Sequence, residues 1–137
     1  MINKVFVYGT LMSGFNNHFV VSDYAISTGV GEIEGIIYHL PEGYPAIISG
    51  LGRVKGEVLT LKEVEEALKA MDILEDYKED RENNLYERVV VHVQTASGSV
   101  EAFCYFWPDS NRKYLEEKGI YIHSGSWREF VLKANKE

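Results

Sequence analysis

Cysteine, proline and long apolar stretches are all scarce in this sequence of 137 residues, which contains one cysteine and three prolines. The single cysteine, Cys104, cannot form an internal disulfide, and the apolar residues around it favour a buried thiol in a reducing compartment. No signal-peptide pattern precedes Tyr8, and no segment approaches the roughly 18 apolar residues of a membrane-spanning helix. We therefore expect a cytoplasmic protein that spans no membrane.

Basic residues are also few, because 14 Lys and Arg stand against 21 Asp and Glu, for a net charge of -7. A nucleic-acid partner is therefore not expected, since phosphate binding needs clustered Lys and Arg. The composition of 45% hydrophobic and 26% charged residues is that of an ordinary globular protein. The chain length fits a single domain over residues 1–137, and the pattern carries no signal for an oligomeric state.

Short apolar segments separated by glycine-rich or polar turns predict a sheet-rich fold. The predicted strands cover residues 4–8, two segments within 26–40, a short apolar segment at 46–48, and residues 54–61, 86–95 and 99–107. Residues 96–98 are predicted to form a hairpin turn, and a charged loop is predicted at 78–84. Helices are predicted at 17–23, 62–76 and 126–134. The helices are too few for a doubly wound sheet. We therefore expect an α+β fold, a small mixed β-barrel of about six or seven strands with flanking helices.

The helix predicted at 62–76 carries an acidic residue on its apolar face. Apolar residues recur at helical spacing, at Val64, Ala67, Leu68, Met71 and Leu74. Glu75 lies four residues after Met71 and so belongs to the same face, and Thr60 with Glu63 predicts a capping box at the helix start. An inward carboxylate costs several kcal/mol unless it is paired or borders a water-filled cavity.

Two interpretations of Glu75 follow from its position. Burial and the helix C-terminus both raise the pKa of a carboxyl group, toward the range useful for general acid and base catalysis. Alternatively, Glu75 pairs with Arg81, Arg88 or a tyrosine hydroxyl as a structural element, or the helix has frayed before it. The turn at Gly9, after the first predicted strand, also has two interpretations. It is a plain turn, or its successive N–H groups form a nest that binds an anion.

Six segments together resemble one protein family. They are VFVYGTL (5–11), SGFNNH (13–18), GYPAII (43–48), VKGEV (54–58), MDILE (71–75) and LYER (85–88). In this order they resemble the γ-glutamylcyclotransferase-like proteins, which include the γ-glutamylamine cyclotransferases and the AIG2-like group.

The resemblance implies a small β-barrel with flanking helices and an enzyme of acyltransferase or lyase type. Its small-molecule γ-glutamyl substrate would cyclise to 5-oxoproline, with Glu75 as the general acid and base and with neither metal nor cofactor. The substrate's polar groups would be held by the backbone of Tyr8, Gly9, Thr10 and Leu11. The alternative is a catalytically silent relative that binds a small ligand in the same pocket.

Other residues near the family segments carry weaker expectations. Tyr44 and Tyr86 are candidate pocket residues, whereas a structural role is preferred for Arg88 and Tyr121. Ser126 stands where bacterial relatives often have Asp, which puts substrate contact there in doubt.

Neither a metal site nor a cysteine nucleophile is expected. The four histidines, His18, His39, His92 and His123, have no paired spacing with Cys104 or with acidic residues. The aromatic and apolar neighbours of Cys104 indicate barrel wall rather than an activated thiol.

Overall fold

The computed structural model describes residues 2–78 and 84–134, and its strands form a closed barrel. The strands are β1 (Lys4–Val7), β2 (Ala25–His39), β3 (Pro45–Leu61), β4 (Glu87–Thr95), β5 (Gly98–Phe106) and β6 (Ile120–Tyr121). The helices are α1 (Phe19–Ser22), α2 (Val64–Leu74), α3 (Arg112–Lys118) and α4 (Trp127–Ala134), with a 3-10 turn at Asp109–Asn111.

Five of the strands close the barrel in the order β3-β1-β5-β4-β2, and pairing of β2 with β3 completes the ring. The short strand β6 pairs with β2 outside this ring. Strand β1 runs parallel to β5, with Val5 opposite Phe103, and the other pairs are antiparallel. The predicted α+β fold with a mixed β-barrel and flanking helices is therefore confirmed.

The core is formed by aliphatic and aromatic side chains of the strands and of helices α1, α2 and α3. Consecutive residues are buried in β1 and at the start of β3, so both faces of these segments are covered. The largest fully buried side chains are Val5, Phe6, Val21, Ile33, Ile37, Leu40, Ile47, Ile48, Leu59, Leu61, Met71 and Leu115. Met71 contributes to this core from α2, so the helix is fixed against the barrel by its apolar face.

Strands β2 and β3 are longer than the sequence predicted. The expectation of two strands within 26–40 was wrong, and the segments at 46–48 and 54–61 also belong to one strand. Glycines in both strands mark a close crossing rather than a break. A Cβ atom on Gly52 would lie 2.7 Å from the carbonyl oxygen of Gly35, where a register shift bends β2. Glycine therefore lets both strands curve together without ending.

Helix α2 is shorter than predicted, and the capping box expected from Thr60 and Glu63 was wrong. Thr60 is part of β3, opposite Lys4, so strand pairing takes the residue that would have capped the helix. Glu63 precedes the helix with a left-handed φ of 49°, and its side chain makes no capping hydrogen bond. At the other end, the N–H of Glu75 donates to the carbonyl oxygen of Met71 at 2.9 Å.

The C-terminal half mixes confirmed and missed elements. The β4–β5 hairpin is present, with Thr95 opposite Gly98 across its turn, and α4 matches the helix predicted at 126–134. Helix α3 was not predicted. Of the predicted charged loop at 78–84, residues 79–83 lie outside the described part of the chain. None of the described helices has the length and apolar character needed to cross a membrane.

Candidate active site

A cavity of about 420 Å³ opens at one end of the barrel, between the turn after β1 and the end of α2. Its walls are completed by the loop before β3, the segment before β4 and Tyr105 near the end of β5. All seven site residues predicted from the sequence border it: Tyr8, Gly9, Thr10, Leu11, Tyr44, Glu75 and Tyr86. Glu75 and the turn at Gly9 therefore face one space, although 66 positions (75 minus 9) separate them in the chain.

The turn after β1 is packed tightly by the start of β3. A Cβ atom on Gly9 would lie 2.7 Å from Cγ of Pro45, so only glycine lets the two segments approach this closely. Pro45 is itself held in place, because its carbonyl oxygen accepts a hydrogen bond from the hydroxyl of Tyr86 at 2.7 Å. Gly9 is thus required by a close contact, and its backbone does not take a left-handed conformation.

The residues of this turn, Gly9, Thr10 and Leu11, border the cavity. Within residues 2–78 and 84–134, the N–H groups of Gly9, Thr10 and Leu11 donate no hydrogen bond. The turn is braced from behind, since the carbonyl oxygen and the hydroxyl of Thr10 accept hydrogen bonds from the main chain and the side chain of Asn17, at 3.1 and 2.8 Å. Such a braced row of open N–H groups can bind a carboxylate or an oxyanion.

Glu75, the C-cap residue directly after α2, borders the cavity. The side chain is partly buried, and burial raises its pKa from 4.5 to about 7. Its carboxyl group makes no ion pair or hydrogen bond with any of the described residues. At neutral pH this group therefore exchanges a proton readily, as a general base or acid must.

Glu75 does not pair with Arg88 or with the tyrosine hydroxyls of Tyr8 and Tyr105, because each of these groups binds another partner. Arg88 pairs with Asp72, with 2.6 Å between Nη1 and Oδ2, and Arg81 lies outside the described residues. The hydroxyl of Tyr8 donates to the carbonyl oxygen of Tyr105 at 2.5 Å, and that of Tyr105 donates to Oδ1 of Asp72 at 2.5 Å. The preferred structural role for Arg88 agrees with this geometry.

The sequence and the fold were compared with those of known proteins. The sequence model of one family, described as "Gamma-glutamyl cyclotransferase, AIG2-like", matches residues 5–129. The chain belongs to this family. Its general activity is therefore that of a γ-glutamylcyclotransferase-like enzyme.

Individual relatives agree with the family. Over 130 residues the chain is 28% identical to the Niallia circulans protein named "Gamma-L-glutamyl-butirosin B gamma-glutamyl cyclotransferase", covering 94% of this chain and 78% of that protein. An AIG2-like protein from Mus musculus has the same fold, with a TM-score of 0.71 at 24% identity over 92% of this chain and 88% of that one. YkqA from Bacillus subtilis matches with a TM-score of 0.75 at 22% identity, where the chain covers 100% of its own length and 44% of YkqA.

A second network, which the sequence did not predict, holds the loop that follows the family's N-terminal segment. Glu57 on β3 accepts hydrogen bonds from the main chain and the hydroxyl of Ser13, at 2.8 and 2.7 Å. Arg128 on α4 donates to the carbonyl oxygen of Ser13 at 2.8 Å and lies 3.3 Å from Oε2 of Glu57. No local pattern pairs Glu57 with Arg128, because 71 positions separate them in the sequence.

Ser126 and Tyr121 lie away from the first cavity. Ser126 borders a separate cavity of about 410 Å³, and its Oγ accepts a hydrogen bond from the N–H of Glu129 at 3.2 Å, which caps α4. Ser126 therefore caps α4 with its hydroxyl group. Tyr121 is an exposed residue of β6 that packs on the ring of Tyr38.

Cys104 does not supply a nucleophile at this site. Its side chain is fully buried in the barrel wall, and burial raises the pKa of the thiol well above its ordinary value. Across the described part of the chain, His, Cys, Asp and Glu side chains form no group of three or more that could hold a metal ion. Glu75 borders the first cavity with a pKa that burial raises to about 7.

Proposed function

We propose that this enzyme releases 5-oxoproline from a γ-glutamyl amide or amine, with Glu75 as both general base and general acid. The observation that carries the proposal is the open carboxyl group of Glu75, with a pKa of about 7, in the same cavity as the N–H groups of Gly9, Thr10 and Leu11. The single unpaired cysteine in the sequence supports a cytoplasmic location for this activity.

The reaction needs one proton carrier and a correctly folded substrate. The carboxylate of Glu75 removes a proton from the substrate's α-ammonium group, and the resulting amine attacks the γ-carbonyl carbon to form a five-membered ring. The tetrahedral intermediate then collapses, the bond from the carbonyl carbon to the leaving nitrogen breaks, and Glu75 returns the proton to that nitrogen. The attacking nitrogen loses its second proton to water, which gives the neutral lactam. Proton and electrons balance without a protein nucleophile, since attack is intramolecular.

The turn after β1 supplies the complementary half of the site. Its N–H groups can hold the substrate's α-carboxylate or the oxyanion that develops on the γ-carbonyl oxygen. Tyr44 and Tyr86 form the facing wall, and their packed rings, with centroids 6.4 Å apart, restrict the space in which the γ-glutamyl chain can fold. The pocket thereby favours the bent conformation from which ring closure proceeds.

A panel of γ-glutamyl amides and amines tests the proposal, with release of 5-oxoproline measured by chromatography. We expect Glu75→Gln to lose about 10²- to 10⁴-fold in kcat while binding of the γ-glutamyl group is retained. Glu66→Gln serves as the control, because Glu66 is an exposed acid on the same helix. For the wild type, kcat/KM should rise with pH and level off above about 7.

Two results would contradict the proposal. Full activity of Glu75→Gln would remove the proposed base. Binding of γ-glutamyl compounds by a wild-type protein that releases no 5-oxoproline from any member of the panel would instead support a catalytically silent ligand-binding protein.

A further inference from the structure

We propose that Asp72 is a positioning residue for Glu75, tethered by Tyr105 and charge-neutralised by Arg88. This inference rests on the proposed function of Glu75 and assigns to Asp72 no contact with substrate. The tether would fix where α2 ends relative to the turn that binds the substrate. Because the charges of Asp72 and Arg88 cancel, neither residue would shift the pKa of Glu75 while the pair is intact.

The geometry of the tether links α2 to two barrel strands. Asp72 lies three residues before Glu75, so the two side chains leave neighbouring positions at the end of the helix. Both carboxylate oxygens of Asp72 are occupied, Oδ1 by the hydroxyl of Tyr105 on β5 at 2.5 Å and Oδ2 by Nη1 of Arg88 on β4 at 2.6 Å. A carboxylate bound on both oxygens from two strands leaves the helix little freedom to shift.

The same tether continues to the opposite wall of the cavity. The carbonyl oxygen of Tyr105 accepts the hydrogen bond of Tyr8, the residue that precedes Gly9. Burial, followed by the hydrogen bond with Asp72, raises the pKa of Tyr105, so its hydroxyl stays protonated and donates. One chain of hydrogen bonds therefore runs from α2 through β5 to the turn, and it sets the distance between the base and the open N–H groups.

Two aromatic rings hold the guanidinium group of Arg88 in place. Its guanidinium carbon lies 5.4 Å from the ring centroid of Tyr77 and 5.3 Å from that of Phe103. Together with the bond to Asp72, these two rings fix the direction of the side chain. The side chains of Arg88 and Asp72 are only 19% and 22% exposed, so the pair is weakly screened by solvent.

The charges around Glu75 decide what breaking this pair should do. Glu75 interacts electrostatically with Tyr8, Tyr44, Tyr86 and Cys104, and Asp76 and Tyr105 border the same cavity. Asp72 precedes Glu75 by three residues and is bound by Arg88. The tyrosines and the cysteine are neutral at pH 7. Since Arg88 cancels the charge of Asp72, loss of either partner would expose Glu75 to a single uncompensated charge.

Opposite shifts in the pKa of Glu75 are therefore the test. Asp72→Asn leaves the cation of Arg88, which favours the carboxylate and should lower the pKa of Glu75 by about 0.5 to 1 pH unit. Arg88→Met leaves the anion of Asp72 and should raise it by a similar amount. The pKa is read from the side-chain carboxyl signal in a 13C NMR titration, assigned by its loss in Glu75→Gln.

Tyr105→Phe and the double variant separate position from charge. Tyr105→Phe removes one hydrogen bond and no charge, so we expect kcat to fall about tenfold or more with little change in the pKa of Glu75. The double variant, Asp72→Asn with Arg88→Met, should return the pKa toward the wild-type value while kcat stays low, because the tether is still broken. In each case KM should change less than kcat, since the N–H groups of the turn are intact.

Arg53→Met is the matched control for these variants. Arg53 pairs with Glu32 at 3.5 Å on the outer face of β2 and β3, and both side chains are about half exposed (50% and 42%). Its loss should change neither kcat nor the pKa of Glu75. Thermal unfolding of each variant checks that the barrel is intact, and Tyr105→Phe keeps the inference testable if Asp72→Asn fails to fold.

The outcomes distinguish this inference from the function on which it rests. Shifts of the same sign in the two single variants, no shift in either, or full activity of Tyr105→Phe would overturn the role of Asp72 while leaving Glu75 as the base. A wild type that forms no 5-oxoproline would overturn the proposed function, yet the NMR titration would still test the charge relationship.

Discussion

Replacing Glu75 with Gln should make the protein more stable at neutral and alkaline pH, although the same change should abolish catalysis. The reason is that the cavity disfavours the charged form of the carboxyl group. Glutamine keeps the size of the side chain and carries no charge, so it removes the cost of holding an anion at a partly buried helix end.

The magnitude follows from the difference in pKa between the two states. The folded-state pKa of Glu75 is about 7, against 4.5 for an exposed carboxyl, which is a difference of about 2.5 pH units. At about 1.4 kcal/mol per pH unit this corresponds to about 3 to 4 kcal/mol, an upper value because water in the cavity screens part of the charge. The raised pKa means that the folded state binds the proton more tightly. This contribution to stability is therefore present below pH 4.5 and is lost as pH rises from 4.5 to 7.

Urea unfolding at pH 4 and pH 8 measures this effect. At pH 4 the unfolding free energies of Glu75→Gln and wild type should be nearly equal. At pH 8 that of Glu75→Gln should be higher by about 3 kcal/mol. Glu66→Gln, at an exposed position of α2, should show no such difference between the two pH values. An equal effect of Glu75→Gln at both pH values, or a loss of stability at pH 8, would refute a raised pKa for Glu75.

Three further changes test the surroundings of the site. Ser126→Ala removes the cap of α4 and should cost about 1 kcal/mol in urea unfolding without changing kcat. Gly9→Ala places a Cβ atom 2.7 Å from Cγ of Pro45, so 5-oxoproline release should fall at least tenfold, in part restored by Pro45→Ala. Glu57→Gln weakens the anchor of the loop at Ser13 and should raise KM more than it lowers kcat; an unchanged KM would contradict this role.

The parts of the fold that could be predicted are those specified by neighbouring residues. The hairpin of β4 and β5 follows from alternation on either side of Gly98, which takes a φ of 116° in the turn. The buried face of α2 follows from helical spacing. Helix α3 was missed because Leu115 is its only buried residue, so it has no apolar stripe. The continuity of β2 and β3 was missed because a glycine at a close crossing resembles a glycine in a turn.

In the candidate site, too, the features specified by neighbouring residues could be predicted and the long-range pairings could not. Glu75 could be found because an acid interrupts an apolar face, and the turn at Gly9 because a glycine ends a buried strand. The partners of Asp72 could not be found, because Arg88 and Tyr105 lie 16 and 33 positions away and no local pattern pairs them. Such pairings depend on the closed barrel, which sets β4 and β5 beside α2.

The stability of the protein and the acidity of Glu75 must change together, which joins the two central predictions. If Asp72→Asn lowers the folded-state pKa of Glu75, the anion becomes less costly in the folded protein, and the gain from Glu75→Gln at pH 8 must shrink. If the pKa of Glu75 falls by 1 unit, the stability gain from Glu75→Gln at pH 8 should shrink by about 1.4 kcal/mol. In the Arg88→Met background the gain must grow instead. A stability gain that is the same in all three backgrounds would show that Asp72 and Arg88 act on Glu75 through position alone.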